Sequence, residues 1–176
     1  MEIENTLKSS TSKLQFGFTT GLSPIMATLC LSEGIATAKS EKRQIYVTAL
    51  DAQKAFDVVV HQKLKAKLHV SGDQGKTWCT IDDLYTEVDE CVRWKGKFTH
   101  QYQVQKGVRQ GAVPSTTLYK LYINSLLTNL QDSDVGMRIG TIYIGTPTCA
   151  DDQLLLSDNC EEMQVNYDQQ LLQLCQ

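Results

Sequence analysis

The sequence predicts an α+β fold, a small and mostly antiparallel sheet packed on helices. Three observations predict it. Segments with helical apolar spacing alternate with short β-branched runs. Two of those runs are joined by a short glycine turn, the signature of a hairpin and not of a crossover. Residues 137–157 hold several short strands punctuated by Gly140, Gly145 and Pro147. Strands that are separated by helices in one place and joined by hairpins in another mark the α+β class.

Each element follows in order. Residues 1–13 are polar and are expected to fray, leaving 14–176 as the folded domain. Ser23-Pro24 opens a run containing Ile25, Met26, Ala27, Leu29, Cys30 and Ile35. Serine at the cap and proline in the first turn predict a helix to about Lys39. Residues 44–51 alternate and are β-branched, which predicts a strand. His61 to Val70 carries leucines at 64 and 68, and Thr77 to Val88 places Trp78, Ile81, Leu84, Tyr85 and Val88 on one face, so both read as helices. Cys91–Trp94 and Phe98–Val104, joined by Lys95-Gly96-Lys97, read as a hairpin. Ser115 to Leu130 is a helix with Leu118, Tyr119, Leu121, Tyr122, Leu126 and Leu127 on its apolar side, and Glu161 to Leu174 closes the chain as another.

Composition sets the bounds. A chain of 176 residues, 41% hydrophobic and 21% charged, is expected to form one domain with a sizeable core. No run approaches the roughly 18 apolar residues of a membrane span. The acidic, polar start is not a secretory signal. The six cysteines form no Cys-x-x-Cys pair and have no histidine at zinc spacing, so they read as reduced thiols of an intracellular protein, nuclear or cytoplasmic and not secreted. The net charge of −3 is unevenly spread: 13 basic against 9 acidic residues from Lys39 to Arg109, then 2 against 8 from Gln110 onwards. A basic middle suits a phosphate backbone; two solvated faces would look the same.

Two acidic motifs stand out. Asp51 ends the apolar run Ile45–Leu50 and opens Asp51-Ala52-Gln53-Lys54-Ala55-Phe56-Asp57. Asp151 and Asp152, in Cys149-Ala150-Asp151-Asp152, lie between Ile142-Tyr143-Ile144 and Leu154-Leu155-Leu156. Carboxylates set against apolar strands are costly unless a cation offsets them, and hard divalent cations take oxygen ligands of this kind. Two such cations about 3.5–4 Å apart are the usual device for in-line phosphoryl displacement. A third motif, Gly107-Val108-Arg109-Gln110-Gly111, brackets a glutamine with glycines at the entrance of the long helix, where a backbone can pass close to a ligand.

Taken in order, these motifs, with Leu118-Tyr119-Lys120-Leu121-Tyr122-Ile123-Asn124 after the third, closely resemble the palm of a reverse transcriptase of the non-LTR (LINE-like) retrotransposon type. Gln15-Phe16-Gly17-Phe18, followed by Gly21 and Ser23, and Phe56-Asp57-Val58-Val59-Val60-His61 also resemble that group. The resemblance covers about residues 13–165. It implies a polymerase palm with part of the fingers, and an RNA-directed DNA polymerase acting on an RNA template, a DNA primer and a dNTP. Asp51 and Asp151 would be the principal ligands of two Mg2+ ions, or of Mn2+, with Asp152 beside them. Phe56 would lie under the incoming sugar and exclude a 2′-hydroxyl, Gln110 would lie against the nucleotide, and Gly111 would give the chain room there.

Each residue also has a plainer reading. A lone aspartate at a strand end is often a turn or cap residue. Asp57 is expected to cap the helix that follows it. His61 and His69 read as structural, and Tyr85, Tyr119 and Tyr122 as core. The chain departs from the family pattern at Cys149, where an aromatic is usual before Ala-Asp-Asp, in the prolines after Gly111, and at Thr19-Thr20, where a basic residue is common. The family's fingertip and thumb segments are expected to fall outside these residues, so a fragment with weak or no activity of its own is expected. The alternatives are a non-catalytic fragment that binds nucleic acid or protein, and a group II intron maturase or telomerase-like relative. Oligomeric state is left open.

Overall fold

The computed structural model describes residues 11–72, 75–109, 111–112, 114–133 and 135–174. In chain order its elements are α1 (Pro24–Ser40), β1 (Tyr46–Asp51), α2 (His61–Val70), α3 (Lys76–Leu84), β2 (Asp89–Glu90), β3 (Arg93–Trp94), β4 (Lys97–Phe98), β5 (Tyr102–Gln103), α4 (Ser115–Asp132), β6 (Arg138–Ile139), β7 (Ile142–Tyr143), β8 (Thr148–Cys149), β9 (Asp152–Ser157) and α5 (Cys160–Leu174). Among the described residues the named strands all pair antiparallel, and the class is the expected α+β. Two compact units form, one from Lys54–Tyr122 and one from Thr11–Gln53 with Ile123–Gln176.

The second of these units is built on the three-stranded sheet β1-β9-β8. Residues that face each other across an antiparallel pair project to the same side. Val47/Leu156, Ala49/Leu154 and Asp51/Asp152 therefore form one row, and Thr48/Leu155 and Leu50/Gln153 lie on the opposite face. Leu155 and Leu156 are fully buried. Met137, Ala38, Ile144 and Leu156 form one apolar cluster, and Leu14, Phe16, Ala27 and Tyr143 form another. Burying such side chains stabilises by about 1.5–3 kcal/mol each for the large ones.

Helix α1 has the expected span, and Ser23 stands at its cap position with proline in the first turn, but without a side-chain cap bond. Its buried face differs from expectation. Ile25, Met26 and Leu29 are exposed, and Ala27, Gly34 and Ala38 are buried instead. The reason is clearance: a Cβ on Gly34 would lie 3.1 Å from both Ile144 Cδ1 and Met137 Sδ. Small residues at these positions let the helix axis come close. Ser12, inside the segment expected to fray, is buried and its N–H donates to Asn124 Oδ1 at 2.7 Å; residues 1–10 lie outside the described residues.

In the unit Lys54–Tyr122, α2 buries His61, Leu64 and Leu68. Helix α3 ends at Leu84, four residues earlier than expected, and buries Ile81; Tyr85, just after it, is buried as well. The ion pair Lys65–Asp82, 2.8 Å, links α2 to α3. Lys95 and Gly96, both with positive φ, form the two-residue turn of the β3–β4 hairpin, with Arg93 opposite Phe98 and Trp94 opposite Lys97. The N-cap of α2 is Val60 and not Asp57, because the chain turns through Lys54–Asp57 first, with the Asp57 and Val58 amides donating to Lys54 O. Cys30, Cys79, Cys91, Cys149 and Cys160 are free thiols, and Cys175 lies outside the described residues. Among the described residues no helix is long and apolar enough to cross a membrane.

Candidate metal and nucleotide site

The first carboxylate is placed by register. β1 is half covered, with alternate residues exposed, and Asp51 ends it on the exposed side. β9 begins at Asp152, the direct partner of Asp51, and Cys149 on β8 is the partner of Asp152 on the other side. Asp51, Asp152 and Cys149 thus form a row across one end of the sheet. Directly opposed residues carry their Cβ atoms about 4.5–5.5 Å apart, and like charges so placed repel. The pair is electrostatically unfavourable by itself and suits a divalent cation. Among the described residues, none of the three aspartate side chains has a hydrogen bond or ion pair to a protein group.

Asp151 sits in the two-residue turn Ala150-Asp151 between β8 and β9. The neighbouring Cys149 thiol is pushed up by burial first, then by the charges of Asp152 and Asp151. Sequence reasoning ranked Asp152 below Asp151, whereas the register puts Asp152 across from Asp51. Among the described residues no three histidine, cysteine or acidic side chains already stand grouped as a metal cage. The carboxylate oxygens on an open sheet end suit a hard divalent cation.

The turn itself is constrained. Ala150 has φ +61°, a left-handed conformation that costs an L-residue roughly 1–2 kcal/mol. Gln15 lies against it, almost fully buried, with its amide bonded to both the N–H and the C=O of Ala150. Sequence reasoning assigned Gln15 no role. The one signal for it was an amide between Leu14 and Phe16, a polar group in an apolar segment that must find partners when buried.

The other predicted residues lie in the unit Lys54–Tyr122. Phe56 is half-buried and stacked on Tyr119, ring centroids 4.8 Å apart at 25°. The Gly107-Val108 segment runs beside it: Val108 N donates to Phe56 O and Gly107 N to Val59 O, both at 2.8 Å. Gly107 has φ +98°, which strains any side-chain-bearing residue, and a Cβ there would also meet Asp57 O at a tight 3.3 Å. His61 is buried, bonds Gly107 O through Nε2 at 2.7 Å and packs on Tyr85, the structural role expected of it. Gly111 has φ +80° and open space where a Cβ would be. Gln110 lies outside the described residues.

Comparison with known proteins adds the following. The family model described as "Reverse transcriptase (RNA-dependent DNA polymerase)" matches residues 2–175. The Retrovirus-related Pol polyprotein from type-1 retrotransposable element R2 of Popillia japonica is 30% identical over 137 residues, which are 77% of this chain and 19% of that protein. The corresponding polyprotein from the type-2 element R2DM of Drosophila melanogaster is 26% identical over 129 residues, 73% of this chain and 12% of that one. The chain thus spans about a fifth or less of these relatives' length. Apo telomerase from Candida tropicalis superposes with a TM-score of 0.66 over 98% of this chain and 33% of that chain, at 12% identity, a likeness of fold. The R2 relatives agree with the non-LTR resemblance read from the motifs.

Proposed function

Because the chain belongs to the reverse transcriptase (RNA-dependent DNA polymerase) family, we propose that it is the palm part of an enzyme that extends a primer on an RNA template, with Asp51, Asp151 and Asp152 as the ligands of two Mg2+ ions. The observation that carries this is the direct pairing of Asp51 with Asp152, with Asp151 in the adjoining turn. When bound, the ions would activate the primer 3′-hydroxyl and offset charge on the leaving pyrophosphate. The chain's own residues do the rest. The sheet holds Asp51 and Asp152 on one face, with Asp151 in the adjoining turn. Phe56, its ring fixed by stacking on Tyr119, discriminates against a 2′-hydroxyl by clash, which rejects one added oxygen more sharply than a missed contact would. Gln110 and Gly111 would contact the incoming nucleotide, as the family resemblance implies.

Template and primer need only backbone and stacking contacts, because base pairing reads the sequence. The β3–β4 hairpin suits that task. Trp94 and Phe98 are 73% and 66% exposed, and Arg93, Lys95 and Lys97 stand beside them with no acidic residue between. Exposed rings interleaved with cations are how single strands are held without sequence preference.

A second reading is a binding module without catalysis, favoured by the lack of a ready three-ligand group among the described residues. Primer extension on an RNA template by the purified chain, with Asp151→Asn as control, decides between them. Extension that the substitution abolishes excludes the binding module; RNA binding with no extension at any Mg2+ or Mn2+ concentration excludes the polymerase reading for this chain.

A further inference from the structure

We propose that Gln15 is a positioning residue for the Ala150-Asp151-Asp152 turn, its buried amide fixing the backbone from which two of the three carboxylates project. The proposal rests on the reading of Asp151 and Asp152 as metal ligands. Gln15 Oε1 accepts the N–H of Ala150 at 3.0 Å and that of Gly17 at 2.9 Å, while Nε2 donates to Ala150 O at 3.3 Å. A carboxamide is suited to this because it offers a donor and an acceptor in one plane without a charge. A carboxylate would set an acceptor against Ala150 O, and an aliphatic chain would leave three backbone groups unpaired.

The clamp is itself rigid. Gln15 forms a parallel bridge with Thr148. Phe16 N donates to Thr148 O and Thr148 N to Leu14 O, both at 2.8 Å, so the segment 14–16 is laid along β8 as a further rung. With 1% exposure Gln15 has no water to replace its partners. Gly17 brings the backbone tightly against the turn: a Cβ there would stand 2.1 Å from Ala150 N, which no side chain permits. Left-handed backbone persists where the surroundings over-determine it, and here those surroundings are Gln15 and Gly17.

The test uses the 176-residue chain, 15N-labelled, with Gln15→Met and Gln15→Asn; the second keeps an amide but withdraws it by one methylene. Amide hydrogen exchange is followed at Ala150 and at Leu156, whose N–H is bonded to Gly145 O in the same unit. Mn2+ alone is titrated and read by paramagnetic broadening at Asp51 and Asp152. The expected result is exchange at Ala150 faster by about tenfold or more with Leu156 little changed, and Mn2+ binding weakened by about tenfold or more, as for lost supporting partners of metal ligands. A loss of structure alone would accelerate Ala150 and Leu156 together, which overturns the proposal, as does unchanged Ala150 exchange or unchanged Mn2+ affinity. Failure of both variants to fold also overturns it, since Gln15 would then serve the fold and not the turn. If the unaltered chain shows no Mn2+ broadening at these aspartates, the metal-site reading fails, and Ala150 exchange still reports on the clamp.

Discussion

Replacing Asp51 by asparagine should make the metal-free chain more stable and the metal-loaded chain less so. Asp51 and Asp152 are direct cross-strand partners on one face, both exposed. Directly opposed residues carry their Cβ atoms about 5 Å apart, and two charges at about that separation in water repel by about 0.8 kcal/mol. Asparagine keeps the shape and removes that repulsion. For a chain of this size the gain should raise the melting temperature by about 2–3 °C in EDTA at low salt, shrinking as salt is added. Divalent cation should reverse the order. At a hundredfold excess over its Kd a bound ion stabilises the folded chain by about 2.7 kcal/mol, and most of this should be missing in Asp51→Asn. Thermal melts of both chains in EDTA and in a Mn2+ series measure the two effects in one experiment. A variant that melts below the parent in EDTA, or that gains as much from Mn2+, would refute the reasoning that these carboxylates are opposed across the strands and share a cation.

Three further outcomes are expected. Trp94→Ala should weaken binding of a short single-stranded RNA by about 1–3 kcal/mol in a fluorescence anisotropy titration, with the melting temperature unchanged, because the ring is mostly exposed. Leu155→Ala, at a fully buried position of β9, should cost about 2–5 kcal/mol in urea unfolding, since the sheet cannot close the cavity. Stability should fall as pH rises through 10. Burial pushes the Tyr85 and Tyr143 hydroxyls above their usual value of 10.0, so the unfolded chain loses those protons first and the folded state's advantage, complete below pH 10, disappears as pH climbs through the raised values. Tyr143→Phe should make that decline shallower in urea melts between pH 9 and 11, and an equal slope in both chains would count against it.

Much of the local structure could be read from short stretches of the chain. The proline at the start of α1, the leucine spacing of α2, the Lys95-Gly96 turn and the apolar side of α4 each act over a few residues, and each element lies where its pattern puts it. Misreadings arose where burial depends on a distant partner. Ile25, Met26 and Leu29 of α1 are exposed while Gly34, closely faced by Met137 and Ile144, is buried, and α2 is capped at Val60 because the chain turns through Lys54–Asp57 before reaching the helix.

The site divides along the same line. The candidate residues of the site were legible by themselves: acidic groups ending apolar runs, and a glycine-bracketed turn before a helix, are local patterns with a local physical cause. How Asp51 and Asp152 come to face each other was not. The pairing of Asp51 with Asp152 is a matter of register between strands far apart in the chain, and a slip of one residue would send a carboxylate to the other face. The amide of Gln15 reaches a turn 135 residues away. Periodicity and turn chemistry are short-range and survive in a list of residues, whereas register, clearance and the satisfaction of buried polar groups exist only once distant segments have packed.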